Sequence, residues 1–250
     1  MYIDSHCHLL STEYDDVDSE IKKAIKSGVF KMIVNGYDVK SSKEAALLSK
    51  KYNEIYASVG IGPENIDDLN ENYKEEIENI VKTEQIVSIG EIGLDYYWTK
   101  ENKEKQIEVF RNMLDIAKKY NLPVLVHCRD AFLDTYNILK EYGVKGILHC
   151  YSGSIEMAKE FIKIGFLIGV GGIVTFKNAK TIKEVVKNIS ISSISLETDS
   201  PYLSPEPNRG KKNNPSNLVY IVRKIAELKE ISIDDVINHT NSNIEALFDL

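Results

Sequence analysis

The segment Tyr2-Ile3-Asp4-Ser5-His6-Cys7-His8 decides the fold class of this chain. It starts as a short apolar strand and ends in two histidines, where an open dinucleotide-binding sheet would carry a glycine-rich turn. Side chains alternate along a strand with a period of two, so His6 and His8 are expected to point to one side and Cys7 to the other. We therefore favour a closed barrel over a doubly wound open sheet.

Further apolar, β-branched runs follow along the chain, with helical periodicity between them. Their spacing of roughly 30 residues is that of one βαβ unit. The sequence therefore predicts an α/β fold of the (β/α)8 TIM-barrel type. The predicted strands are 2–6, 32–35, 55–60, 87–91, 124–127, 146–149, 166–170 and 194–199.

Two helices carry clear start and stop signals. Thr99 is predicted to cap the first, which should end at Asn121, shortly before Pro123. Its apolar face would consist of Ile107, Phe110, Leu114 and Ala117. The second is predicted to begin near Ser154 and to end at Gly165, where a left-handed residue costs little. Its apolar stripe would consist of Ile155, Ala158 and Ile162.

Length and composition indicate one domain over residues 1–250, with 43% hydrophobic residues to form its core. The formal net charge of -7 argues against a generally basic nucleic-acid binder, but it leaves open an enzyme with a locally positive cleft. The chain has three cysteines, which predicts a reducing compartment such as the cytoplasm. No export signal is evident, and no apolar run reaches the roughly 18 residues of a membrane helix, so we expect a protein outside the membrane. No obligatory protein partner is evident.

Polar residues recur at the carboxyl ends of the predicted strands: Glu91, His127, His149 and Asp199 join the histidines of the first strand. Loops at that face build the active sites of such barrels, so these side chains are expected to meet. Taken singly, each of these residues could instead be a hydrogen-bonded core residue or a helix cap. Together they include four of the five histidines, and a metal site at the barrel mouth explains them all.

The remaining histidine and the cysteines are expected to lie outside this site. His239 is predicted to lie on or between the terminal helices, with a surface or capping role. Strand alternation turns Cys7, Cys128 and Cys150 away from the neighbouring imidazoles, so we expect buried thiols, not ligands.

Five motifs, in order, resemble the TatD family of metal-dependent hydrolases, a branch of the amidohydrolase-like barrels, over essentially the whole chain. They are Asp4-Ser5-His6-Cys7-His8-Leu9, Gly90-Glu91-Ile92-Gly93-Leu94-Asp95-Tyr96-Tyr97, Val126-His127-Cys128-Arg129-Asp130-Ala131, His149-Cys150-Tyr151-Ser152-Gly153 and Glu197-Thr198-Asp199-Ser200-Pro201-Tyr202.

The resemblance implies a site for two divalent metal ions. His6, His8 and Asp199 would hold one ion, His127 and His149 the other, and Glu91 would bridge them. It also implies deoxyribonuclease or related phosphodiesterase activity on DNA, exonucleolytic and directed to single strands or 3′ ends, with Asp199 and Glu91 as catalytic residues. Imidazole and carboxylate ligands favour zinc or manganese, and magnesium is possible.

Basic and aromatic residues near the expected mouth are candidates for substrate contacts. Arg209 lies in a loop similar to the family's loop after the last strand, and we rank it with Arg129 above Lys211 and Lys212 as a phosphate contact. The aromatic candidates for base stacking, for which loop packing is favoured, are Tyr97, Trp98 and Tyr202.

One departure from the family pattern concerns substrate preference. In Val59-Gly60-Ile61-Gly62-Pro63-Glu64, the family usually has a histidine where this chain has Gly62, and often another at Glu64. A metallohydrolase of the same barrel acting on an amide, ester or lactone therefore stays open. A third alternative is a non-catalytic binding protein in which the bound metal serves only to stabilise the fold.

Overall fold

The computed structural model describes residues 1–67, 69–98 and 101–250. Its eight parallel strands pair in the order β1 to β8. They are β1 (Tyr2–Cys7), β2 (Val29–Asn35), β3 (Ile55–Val59), β4 (Ile86–Asp95), β5 (Val124–Arg129), β6 (Gly146–Leu148), β7 (Phe166–Val170) and β8 (Ile194–Leu196).

Helices connect the strands and surround them. They are α1 (Val17–Lys26), α2 (Val39–Lys51), α3 (Tyr73–Thr83), α4 (Lys103–Tyr120), α5 (Phe132–Tyr142), α6 (Ile155–Lys163), α7 (Lys180–Asn188), α8 (Leu218–Lys229) and α9 (Ile233–Phe248). None of those in the described ranges has both the length and the apolar composition to cross a membrane.

The first and last strands meet just beyond their ends, where Cys7 pairs with Ser200 as a parallel bridge. The backbone N–H of Asp199 donates to the carbonyl of His6 at 2.9 Å, and that of His8 donates to the carbonyl of Ser200 at 2.7 Å. These bonds close the (β/α)8 barrel that the sequence pattern predicts, and they bring Asp199 beside the two histidines of the first strand.

The amino-terminal end of the barrel is sealed by α9. Ile244 and Phe248 pack against the interior residues Ile3 and Ile33. Asn241 adds polar links, because its Oδ1 accepts from the Ile3 backbone at 3.2 Å and its Nδ2 donates to the Met1 carbonyl at 3.1 Å. The opposite, carboxyl end of the barrel therefore carries the cavity described below. His239 lies within α9 and is exposed, so it has a surface position and caps neither end.

Every predicted strand is present, although several bounds differ. The largest difference is at β4, which continues to Asp95 instead of ending at Glu91. Its pairing with β5 shifts register between Ile89 and Ile92, so Glu91 lies at an irregularity within the strand. The prediction that Glu91 ends its strand is therefore wrong.

The two helices with clear sequence signals are confirmed. Ser154 accepts a hydrogen bond from the Met157 backbone and caps α6, and Gly165 follows with φ +94°. Asn121 ends α4 in the left-handed conformation, with φ 54°. The predicted cap at Thr99 lies outside the described residues, and α4 begins later than predicted, at Lys103 after the N-cap residue Asn102.

Candidate metal centre

Four donor atoms meet on one side of the barrel mouth. Nε2 of His6 lies 3.1 Å from Nε2 of His8. Glu91 Oε2 is 3.5 Å from the first of these nitrogens and 3.3 Å from the second. Asp199 Oδ1 is 3.7 Å from both. Residues at the ends of β1 and β8 and in the irregular part of β4 thus form one cluster.

A second cluster lies beside the first, and Glu91 belongs to both. Its other oxygen, Oε1, is 3.0 Å from Nδ1 of His127 and 3.0 Å from Nε2 of His149. These two nitrogens are 3.2 Å apart. Because Oε2 faces one cluster and Oε1 the other, the carboxylate of Glu91 is positioned between them.

The donor spacing fits a coordinated cation. Tetrahedral bonds of about 2.0–2.1 Å would place neighbouring donor atoms roughly 3.3 Å apart, and the donor pairs given above are 3.0–3.7 Å apart. His6, His149 and Asp199 form a further group whose donor atoms lie within 4.8 Å of one another, so Asp199 lies close to both clusters. Imidazole and carboxylate donors suit zinc or manganese.

Two of the four imidazoles are oriented through their second nitrogen, as is usual for metal-binding histidines. Nδ1 of His8 donates to the Asn35 carbonyl at 2.9 Å. Nε2 of His127 donates to Asp95 Oδ2 at 2.9 Å. Nδ1 of His6 and of His149 is buried without a hydrogen-bond partner in the described part of the chain.

Asp95 is the functional residue to which the sequence analysis gave no role. Its Oδ1 accepts from the Tyr97 backbone at 2.8 Å, and Gln106 hydrogen-bonds both its N–H and its carbonyl, each at 2.8 Å. The carboxylate is thereby held against His127. The signal was available, because Asp95 follows Glu91 at an even spacing in the same motif and therefore shares its side of β4.

The charges of the cluster change the pKa values of its members in opposite directions. Burial lowers the pKa of His127, but hydrogen bonds with Asp95 and Glu91 outweigh it and raise that pKa to about 10. Burial likewise opposes charge on His8, and Glu91 with Asp199 raises its pKa to about 9. Burial and the nearby His149 lower the pKa of His6 well below its usual value. Without a cation, the cluster therefore holds protons that metal binding would displace.

Buried polar residues support the segment that carries Asp199. Asp4 accepts from the Thr198 hydroxyl at 2.5 Å and from its backbone N–H at 2.9 Å. Glu197 accepts from the backbone N–H of Cys150. These contacts join β1 and the segment after β6 to the segment after β8 that carries Asp199.

The cysteines are free, and none belongs to a ligand group among the described residues. Cys7 and Cys128 are buried, with Cys128 Sγ bonded to the Thr135 hydroxyl at 3.3 Å. Cys150 is partly exposed and contributes to the cavity wall, so the expectation that all three thiols are buried is wrong there. The chain has a left-handed turn at Cys150, with φ 45°, and this redirects it after β6.

A cavity of about 700 Å³ opens above the clustered donors. Arg129 contributes to its wall, and the guanidinium carbon lies 3.6 Å from the ring centroid of Tyr97. Trp98 and Tyr202 also line the cavity, with 67% and 50% of their surface exposed, and Tyr97 is 53% exposed. Tyr97 packs against Trp98 and Arg129, as loop packing predicts, whereas Trp98 and Tyr202 also present exposed surface to the cavity.

The other basic candidates lie elsewhere. Arg209 is not part of the cavity wall; its guanidinium lies 4.3 Å from the Phe176 ring and 4.0 Å from Glu206. Lys211 and Lys212 line a separate cavity near Lys23. The prediction that Arg209 lies beside the mouth is therefore wrong, because its side chain packs on Phe176 instead of lining the cavity.

Gly62 and Glu64 do line the main cavity. A Cβ atom at Gly62 would lie 3.4 Å from Cβ of Tyr37 and 3.6 Å from Nδ2 of Asn65. The backbone there is extended, with φ -72° and ψ 152°. The position therefore has room for a side chain.

A (β/α)8 barrel with imidazoles and carboxylates gathered at its carboxyl end defines the class of metal-dependent hydrolases. The sequence model of the family described as TatD related DNase matches residues 3–249, and the chain belongs to that TatD family. It is 43% identical to the uncharacterized metal-dependent hydrolase YabD of Bacillus subtilis, over 99% of each chain. It is 34% identical to the uncharacterized metal-dependent hydrolase YcfH of Escherichia coli K12, over 98% of this chain and 95% of that one.

A solved structure extends this agreement to three dimensions. The TatD homologue YJJV of Escherichia coli K12 superimposes with a TM-score of 0.94 at 27% identity, covering 100% of this chain and 98% of the other. Sequence and fold therefore agree on a metal-dependent hydrolase of the TatD family.

Proposed function

We propose that this protein is a deoxyribonuclease that hydrolyses phosphodiester bonds of DNA with a water molecule activated by two divalent metal ions. The observation that carries the proposal is the position of Glu91, whose Oε2 faces His6 and His8 while its Oε1 faces His127 and His149. A carboxylate between two donor clusters is what a two-metal site requires.

The residues fit the metals as follows. His6, His8 and Asp199 would hold one ion, His127 and His149 the other, and Glu91 both. The donor set favours zinc or manganese, and magnesium remains an option. When bound, such a pair supplies an activated water and neutralises charge on attacking and leaving oxygens.

The chain's own groups supply the rest of the reaction. Asp199 lies close to both donor clusters, so its carboxylate is placed to accept a proton from the attacking water. The water oxygen bonds to phosphorus as its proton passes to Asp199, the bond from phosphorus to the departing sugar oxygen breaks, and that oxygen takes up the proton from Asp199. Arg129, at the cavity wall, would hold a substrate phosphate.

A phosphodiester suits this site because of its charge. Two divalent cations contribute about +4 against about -2 from Glu91 and Asp199, which leaves a positive floor for an anionic substrate. The description of the family, TatD related DNase, supports the same substrate class. Single strands and strand ends are favoured over duplex interiors, since the donors lie at the bottom of a cavity.

We place this activity in a reducing compartment, the cytoplasm, because the three cysteines are free, with Cys7 and Cys128 buried.

One observation supports a second candidate, a hydrolase of esters, amides or lactones. Gly62 and Glu64 line the cavity where the family usually presents histidine, so this wall offers fewer cationic contacts to DNA. A binding protein that uses metal for stability alone is the third candidate.

The deciding experiment compares purified protein, loaded in turn with zinc, manganese and magnesium, on single-stranded DNA and on a panel of small esters, amides and lactones. Glu91→Ala is the control, because a contaminating nuclease would survive that substitution. We expect metal-dependent DNA hydrolysis that the variant lacks. Turnover of carbonyl substrates alone would favour the second candidate, and turnover of none, with chelation lowering the Tm, the third.

A further inference from the structure

The rim of the cavity is divided into two chemically different halves. In an eight-stranded barrel closed between β1 and β8, the loops after β4 and β5 lie opposite those after β8 and β1. Trp98 and Arg129 come from the first pair of loops, and Glu13 and Tyr202 from the second. The substrate therefore meets different groups at its two ends.

The half formed after β4 and β5 is cationic and aromatic. Arg129 lies 3.6 Å from the ring centroid of Tyr97 and 5.5 Å from that of Trp98. The two rings form an edge contact with centroids 4.9 Å apart, yet both stay more than half exposed. Ion pairs exist for Arg111 and Arg209, whereas the guanidinium of Arg129 has none with the residues that the structure describes. Exposed rings beside an unpaired guanidinium suit a base and its phosphate.

The opposite half is anionic and rich in hydroxyl groups. Glu13 accepts hydrogen bonds from the hydroxyl of Tyr37 at 3.2 Å and from that of Tyr202 at 3.1 Å. Thr12 is 2.9 Å from the same Tyr37 hydroxyl. Glu64, exposed after β3, adds a second carboxylate to the cavity wall between the two halves.

Together these halves limit how a polyanion lies in the cavity. A strand crossing the whole mouth would carry backbone phosphates past Glu13 and Glu64, where like charges repel. A strand that stops above the metal donors avoids this. Its last sugar would meet carboxylates and tyrosine hydroxyls, which pair well with a neutral hydroxyl group.

We propose that the mouth accepts a single-strand terminus bearing a free hydroxyl, with the adjoining base on Trp98, its phosphate against Arg129, and the terminal sugar against the Glu13–Tyr37–Tyr202 network. This rests on the proposed nuclease activity and adds to it a selection rule. A terminal phosphate at the end being removed is disfavoured, and a strand without ends is not a substrate.

The experiment uses metal-loaded enzyme and four single-stranded DNAs: linear with hydroxyl groups at both ends, linear with a 3′ phosphate, linear with a 5′ phosphate, and circular. We expect the phosphate at one of the two ends to lower kcat/KM about tenfold, and the circle to resist. Glu13→Gln combined with Glu64→Gln should remove most of that penalty. Glu108→Gln, a matched change at an exposed residue of α4 outside the cavity wall, should leave it unchanged.

Trp98 gives an independent binding readout, because it is the chain's single tryptophan and lies in the cavity wall. Its fluorescence should respond to a dinucleotide with two free hydroxyl ends at lower concentration than to the same dinucleotide with a terminal phosphate. Trp98→Ala should raise KM for oligonucleotides about tenfold, while Trp98→Phe keeps most of the affinity.

The outcomes separate the two proposals. Hydrolysis of circular and end-phosphorylated DNA at the same rate as hydroxyl-ended DNA would overturn the selection rule and leave the nuclease proposal standing. Equal affinity of both dinucleotides in the fluorescence titration would also overturn it. Absence of phosphodiester hydrolysis with every metal would instead count against the nuclease proposal, and the titration would then decide the selection rule alone.

Discussion

Asp95 Oδ2 lies 2.9 Å from Nε2 of His127, whose other ring nitrogen faces Glu91 at 3.0 Å. The imidazole is thus held between a carboxylate that orients it and a carboxylate of the metal centre. Such outer partners fix the ring's tautomer and raise its basicity as a ligand.

Replacing Asp95 with Asn should weaken metal binding at the second cluster by roughly 10- to 100-fold, because His127 loses its charged partner. Competition with a chromogenic chelator measures the affinity. Asp18→Asn, which removes an exposed carboxylate paired with Lys51, is the matched control and should leave it unchanged. Unaltered affinity in Asp95→Asn would mean that the pair is only structural.

Metal binding should release protons near neutral pH. The pKa values of about 9 for His8 and about 10 for His127 mean that both rings are charged in metal-free protein at pH 7.5. Calorimetry in buffers of different ionisation enthalpy should show about two protons released per protein, and affinity should rise with pH up to about 10. Release of no protons would contradict the assignment of both rings as ligands.

The same pKa shifts predict how pH affects the metal-free fold. Both values lie above the unfolded-state value of about 6.5, so the charged rings stabilise the fold fully below that pH. This stabilisation declines as pH rises above about 6.5, and it is lost by about 9 for His8 and about 10 for His127. The Tm of chelator-treated protein should therefore fall over that range, and that of metal-loaded protein should fall less. A parallel decline in both samples would argue against this origin.

Gly62→His should raise kcat/KM on single-stranded DNA about threefold or more, because it adds a hydrogen-bond donor to a cavity wall with room for it. Metal affinity should not change, and Gly62→Ala, which fills space without adding a donor, should have little effect on rate. Steady-state kinetics on a labelled oligonucleotide gives both values. If Gly62→His hydrolysed DNA no faster than Gly62→Ala, residue 62 would have no role in substrate contact.

Gly93 separates Glu91 from Asp95 on β4, and its backbone demands glycine. Its φ is +140°, and an added Cβ would lie 2.0 Å from the carbonyl oxygen of His127. Gly93→Ala should lower the free energy of unfolding by about 3 kcal/mol or more. Gly210→Ala is the control, since φ is +84° there but no atom lies within 4 Å, and it should cost about 1 kcal/mol. Urea unfolding of both variants measures the difference.

The barrel and the six donor residues could be predicted because both follow from strand periodicity. His6 and His8 share one side of β1, and barrel closure brings Asp199 to them. Glu91 was predicted to face the other donors because it would end its strand. It lies instead within the longer strand β4, at a register shift against β5, and still joins the cluster.

Other features depend on how loops and terminal helices pack, which local periodicity does not record. Arg209 shares its loop with the mouth residues in sequence but stacks on Phe176. The side chains of Tyr97 and Trp98 stay exposed beside Arg129. Sealing of the barrel's other end by Phe248 of α9 is a long-range contact of the same kind.

The proposed function requires Glu91 to lie between two bound cations. Crystals soaked in manganese and measured at an energy that excites manganese give the most direct answer. We expect two anomalous peaks roughly 3.5–4 Å apart, one on each side of the Glu91 carboxylate. A single peak, or no peak among these donors, would contradict it.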